Sequence, residues 1–130
     1  MKKKEDLNFE IAFFEGVLSF APDFTEALFC LGDAYSKKGR FEEGLIIDLR
    51  LNKLLPADET ARYNLACDYS LLKQPDACLA ALHQAIELGY RDFSFMHKDP
   101  DLAFIRTDPR YQQLLARWLT RERGVNQKIQ

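Results

Sequence analysis

The side chains best suited to chemistry lie in "KDPDLAFIRTDPRYQQLL", residues 98–115, where Asp99 and Asp108 each precede a proline and Asp101 stands between them. Three carboxylates brought together would suit general acid/base work or a hard divalent ion. The other candidates are His83 and His97, as metal ligands, and Cys30, Cys67 and Cys78, as nucleophiles beside a base.

Each has a plainer reading. A residue before proline is pushed to extended geometry, which an N-cap needs, and proline suits a first helical turn whose N–H has no intrahelical acceptor. Asp99 and Asp108 are therefore expected to cap helices that begin at Pro100 and Pro109, for about 0.5–2 kcal/mol each. Capping stabilises the charged carboxylate, the wrong direction for a general acid. Nothing in the spacing of Asp99, Asp101 and Asp108 guarantees the convergent oxygens of a metal site. The histidines lack a Cys or His partner at zinc-like spacing; His83 falls on the outward part of a helix and His97 in a polar turn. Cys78 stands where a small side chain would pack, and Gly32 lies inside a helix rather than in a phosphate loop. The expectation is no catalytic residue, no cofactor and no metal, so the chain is not read as an enzyme. Asp99, Asp101 and a histidine meeting in one pocket would reopen that reading.

The totals agree. The chain has 130 residues, 47% hydrophobic and 29% charged, an ordinary composition for one globular domain. Eighteen Lys and Arg against 20 Asp and Glu give a net charge of −2, which offers no footprint for nucleic acid. Lys2, Lys3 and Lys4 read as a solvated terminus. Glu10 and Glu15 interrupt the first apolar segment, so no signal peptide is expected, and no stretch would span a membrane. Three cysteines without CxxC spacing read as reduced, small core residues of a cytoplasmic protein.

The elements that must position these residues emerge from a repeat. A shift of 34 residues lays Pro22 on Pro56, Ala27 on Ala61, Leu31 on Leu65, Gly32 on Ala66 and Tyr35 on Tyr69. Phe20, Leu54 and Leu88 form one column, and Val17, Leu51 and Ala85 another. Within residues 25–38, Ala27, Leu28, Leu31, Ala34 and Tyr35 recur at helical spacing. Asp23 and Glu26 suggest a capping box ahead of them, and Gly39 a left-handed stop. A second helix over about 41–54 ends before Pro56, and the next pair covers about 59–73 and 76–88, divided by Pro75.

These residues resemble the tetratricopeptide repeat family. "LFCLGDAYSKKG" carries Leu28, Leu31, Gly32 and Tyr35 at the family's helix A spacing, with Gly39 at the turn and Pro56 closing the repeat. "YNLACDYSLL" supplies Leu65, Ala66 and Tyr69, and "ACLAALHQAIELGY" supplies Cys78, Leu82, Ala85 and Ile86 at helix B positions. "GYRDFSFMHKDPDLAFIRTDPRYQQLLARW" looks like the unit that ends such arrays, in which Leu102, Ile105, Tyr111, Leu114, Leu115 and Trp118 would cover the last repeat. The resemblance implies an all-α domain, a short right-handed solenoid of helical hairpins. Its parts would be a lone helix B (7–22), two full repeats (25–58 and 59–92), a helical cap (93–122) and a tail (123–130). Gly44, Asp48 and Arg62 depart from the family pattern, and the helix holding Gly44 and Asp48 is expected to pack less tightly.

The family's function is to bind proteins in the concave groove lined by its A helices. The positions implied are Glu26, Phe29, Asp33, Ser36 and Lys37, then Thr60, Tyr63, Cys67, Ser70 and Leu71. Phe29 and Tyr63 would be paired aromatic anchors. Only Asn64 matches the family's clamp for a chaperone's C-terminal carboxylate, so an apolar-sided helix or extended segment is the better expected ligand. The expected role is a non-catalytic scaffold for an unidentified protein or peptide. The alternative is a self-associating module whose groove is filled by its own cap, favoured if Phe29 and Tyr63 are buried. Along the first helix, Leu7, Ile11, Phe14 and Leu18 form one stripe, while Phe9, Phe13, Val17 and Phe20 form a second with no helix A to cover it. That second stripe is the expected face of a homodimer.

Overall fold

The computed structural model describes residues 3–129, with side chains as far as Arg121 and Lys4 excepted; Lys2 of the lysine run lies outside the described residues. Every regular element among them is helical: α1 (Lys4–Phe20), α2 (Thr25–Lys38), α3 (Phe41–Leu54), α4 (Glu59–Leu71), α5 (Pro75–Leu88), α6 (Phe93–Lys98), a 3-10 turn (Pro100–Leu102), α7 (Ala103–Arg106) and α8 (Pro109–Ile129). Helices α1 to α5 pack in neighbouring pairs. The 3-10 turn and α7 then fold back onto α4, and α7 and α8 onto α5.

The turns follow from backbone chemistry. Gly39 ends α2 at φ +84°, and its neighbour Arg40 donates from its backbone N–H to the Tyr35 carbonyl. One period later Gln74 donates to the Tyr69 carbonyl in the same register, but Lys73 fills the glycine's place at φ +58°. Pro75 opens α5, and the Asp58 and Asp92 side chains cap α4 and α6. The expected capping box at Asp23 does not form. Helix α2 starts at Thr25 after Phe24, with no side-chain cap, and Asp23 instead accepts from Arg50 on α3.

Two cores result. Leu7 and Ile11 of α1 meet Leu31, Ala34 and Tyr35 of α2, with Phe14, Leu18 and Ile47 packed alongside. The larger core joins Cys78, Leu82 and Ile86 of α5 to Met96, Leu102, Ile105, Tyr111, Leu115 and Trp118, all buried. Each large apolar side chain there contributes about 1.5–3 kcal/mol by leaving water. Arg91 and Arg121 flank the Trp118 ring at 5.1 and 5.0 Å.

Three expectations need correction. Helix α3 is not loosely packed, because Gly44, Asp48 and Asn52 are all buried. Asn52 donates to the carbonyl of Asp48 within α3 and to that of Ala61 on α4, and accepts from Arg62, so one of the departures from the repeat pattern, Arg62, helps hold α3 to α4. Cys30 is exposed, since it lies on α2 away from the buried face, whereas Cys67 and Cys78 are buried. Helix α8 continues to Ile129 through the expected tail, a stretch that contains no proline to stop it.

Candidate functional site

Helix α4 presents Tyr63 and Cys67 one turn apart, and the cap meets both. The Tyr63 hydroxyl donates to Asp99 Oδ2 at 2.6 Å, and the Cys67 thiol approaches the same oxygen at 3.7 Å. Asp99 Oδ1 accepts the backbone N–H of Asp101, as a cap should. Arg106 fixes this turn by donating to the carbonyls of Met96 and Asp99 at 2.9 and 2.8 Å. The Tyr63 ring stacks on Tyr90 at 4.3 Å and lies 6.4 Å from Phe95.

Beside this junction is a cavity of about 200 Å³. Gly32, Asp33 and Ser36 form its α2 wall, Asp48 comes from α3, and Asn64, Cys67 and Asp68 come from α4. Phe95, Asp99 and Asp101 close it from the cap. Asp48 enters because Gly32 has no side chain: a Cβ there would sit 2.6 Å from Asp48 Oδ1. The Asp48 and Asp68 carboxyls are close enough to affect each other's titration, and Asp68 Oδ2, buried, has no hydrogen-bond partner.

Electrostatics follow from this crowding. Burial, then the Asp48 carboxyl, pushes Asp68 far above the usual carboxylate range. Burial also raises Asp48, although its bond to Asp68 opposes that, and the pair is best described as two carboxyls sharing one proton. Asp101 is raised by burial and by the nearby Asp99 and Asp33. Burial, then the Asp99 and Asp101 carboxylates, pushes the Cys67 thiol well above its usual value, which holds it protonated and poorly nucleophilic. Asp108 behaves differently: it accepts from the backbone and guanidinium of Arg110, which lower its pKa.

The ten groove positions therefore separate. Asp33, Ser36, Tyr63 and Cys67 line the cavity, while Glu26, Phe29, Lys37, Thr60, Ser70 and Leu71 do not. Tyr63 is 4% exposed beneath the cap and Phe29 is half-buried, so the two are not equivalent anchors. Cys67 and Ser70 are buried too, so of the groove positions that line the cavity only Asp33 and Ser36, on α2, are accessible. Asp33 pairs with Lys37 at 2.8 Å on the rim. Asp99 and Asp101 converge, but with Cys67 rather than with Asp108 or a histidine, and no histidine lines the cavity among the described residues. His83 faces outward near Glu87, and His97 packs edge-on to Tyr111.

Cys67, Asp99 and Asp101 offer ligand atoms within 4.8 Å of one another. Their fit to a metal is poor, because the thiol keeps its proton and Asp99 already accepts from Tyr63, Cys67 and Asp101. On α1, Phe9, Phe13 and Phe20 are 71, 55 and 93% exposed, with Val17 half-buried among them. Among the described residues, no helix is long and apolar enough to cross a membrane.

Set against known proteins, this all-helical chain with an acidic cavity matches no protein-family model. It is similar to a curated chloroplastic protein of Arabidopsis thaliana, with 39% identity over 90 residues. The match takes in 65% of this chain but only 26% of that protein, so the chain spans about a quarter of the relative's length.

Proposed function

We propose that the protein is a non-catalytic binding module of the tetratricopeptide kind. In this reading α1 is a half repeat, α2–α3 and α4–α5 are two full repeats of a right-handed solenoid, and α6–α8 form its cap. A protein or peptide segment lies along α2 and enters the space between α2 and the cap. The observation that carries this reading is the open polar cavity built jointly by α2, α4 and the cap. Half-buried Phe29 and exposed Glu26 continue the same helix beyond it. Three unpaired thiols fit the cytoplasmic location that belongs to the same proposal. The test is selection from a random peptide display library by the wild-type chain and by Phe29→Ala/Asp33→Lys. Peptides captured by the first and lost by the second support the groove, and equal capture by both places recognition elsewhere.

A second reading is self-association through α1. Its support is the exposed row of Phe9, Phe13 and Phe20, in which the Phe9 and Phe13 rings stack at 6.4 Å. Sedimentation equilibrium should give a dimer mass that Phe9→Ser/Phe13→Ser reduces to the monomer. A wild-type monomer at high concentration removes this reading.

A further inference from the structure

We propose that the cavity receives the guanidinium of an arginine carried by a basic segment of the partner; this deepens the groove reading and rests on it. Five aspartates reach one small space from four separate elements: Asp33, Asp48, Asp68, Asp99 and Asp101. Among the described residues, no lysine, arginine or histidine lines it. A folded chain does not gather carboxylates in this way for stability, since like charges repel and burial penalises each.

An independent sign of a missing partner is Asp68. It is 3% exposed, it lines the cavity, and its Oδ2 has no hydrogen-bond donor. Buried polar atoms normally have one. Without a ligand, a proton shared with Asp48 is the available compensation. A cation with several N–H donors would satisfy both carboxyls and discharge that proton to solvent.

The geometry separates the classes of cation. A hard metal ion needs oxygens free to converge at short range, whereas Asp99 is engaged by Tyr63, Cys67 and the Asp101 backbone. A guanidinium instead reaches several acceptors at once through a planar fork of five donors. It also stacks on aromatic faces, and Phe95, half-exposed, stands among the lining residues. Asp33 at the rim, paired only with an exposed lysine, would steer the cation inward.

The test is a titration of the full chain, followed by amide chemical shifts, with N-acetyl-arginine amide, its lysine and citrulline counterparts, and manganese(II). Arginine amide is expected to shift amides around Asp33, Asp68 and Asp101, lysine amide less, and the isosteric neutral citrulline not at all. Asp68→Asn and Asp101→Asn should each weaken the arginine response at least tenfold while remaining folded. Equal response to citrulline, response to manganese alone, or no response at the cavity overturns the proposal. The peptide selection separates this from the groove reading. Selected peptides without basic residues leave the groove standing and remove the arginine site; arginine binding with no selected peptide does the reverse.

Discussion

The Asp48–Asp68 pair ties the fold's stability to pH. Asp68 in the folded chain holds its proton far above 3.8, the ordinary value it would have unfolded. Above about pH 4 the folded state therefore binds more protons than the unfolded one, and stability falls as pH rises, by up to about 1.4 kcal/mol per pH unit for one proton. Asp108, with its lowered pKa, acts in the opposite sense, and its contribution is lost only as pH falls below about 4. The thermal midpoint should thus decline between pH 5 and pH 8. Asp68→Asn should flatten that decline and raise stability at pH 8 by about 1–3 kcal/mol, because the amide needs no proton to be taken up on folding. Calorimetry of both forms across this range decides it, and parallel curves would mean that Asp68 does not hold the proton. Gly32 makes a companion case. Gly32→Ala drives a methyl group onto Asp48 Oδ1 and should cost about 1–3 kcal/mol, restored in part by Asp48→Ala.

At the scale of elements, the 34-residue period predicts what each helix end should cost. Gly39 and Lys73 occupy the same column and both have positive φ, but only the glycine does so without steric penalty. Lys73→Gly should stabilise by about 0.5–1 kcal/mol, less whatever the Lys73 contact over the Phe104 ring contributes, and Gly39→Ala should destabilise by about 1 kcal/mol. Urea unfolding of the two variants measures both. The same period made the helices and their apolar faces legible, because burial repeats with it. It also held a clue to the cavity that local pattern reading passes over. Asp48 stands in the column of Phe14 and Leu82, and Asp68 in that of Ala34 and Leu102, so each is an acid at a core position. What no spacing could supply was the fold-back of the cap, which buries Tyr63 and brings Asp99 and Asp101 to Cys67. The failed Asp23 cap is a miss of a different kind, a matter of one residue in where α2 begins.

For the whole molecule, the buried polar tie between the cap and the helix pairs is the Tyr63–Asp99 hydrogen bond, set in an apolar seam, while Arg110 of α8 pairs with Asp76 of α5 at the exposed edge. The Tyr63 hydroxyl serves Asp99, itself 5% exposed, and removing that donor leaves a buried carboxylate short of a partner. Tyr63→Phe should cost about 1–3 kcal/mol. Hydrogen exchange should rise across α6, α7 and the start of α8, with α2 and α3 unchanged. Uniform acceleration over the whole chain would mean that cap and helix pairs open as one cooperative unit.

The unequal burial of the three thiols amounts to a built-in clock. Cys30 meets solvent on α2, Cys67 lies beneath the cap, and Cys78 sits in the α5 seam. A pulse of a thiol-alkylating reagent should tag Cys30 at once, on the helix proposed to greet a partner. Cys67 should follow only when the cap lifts, and Cys78 only when α5 parts from it. Peptide mass mapping of the tagged chain over time would then read out the order in which the molecule comes apart.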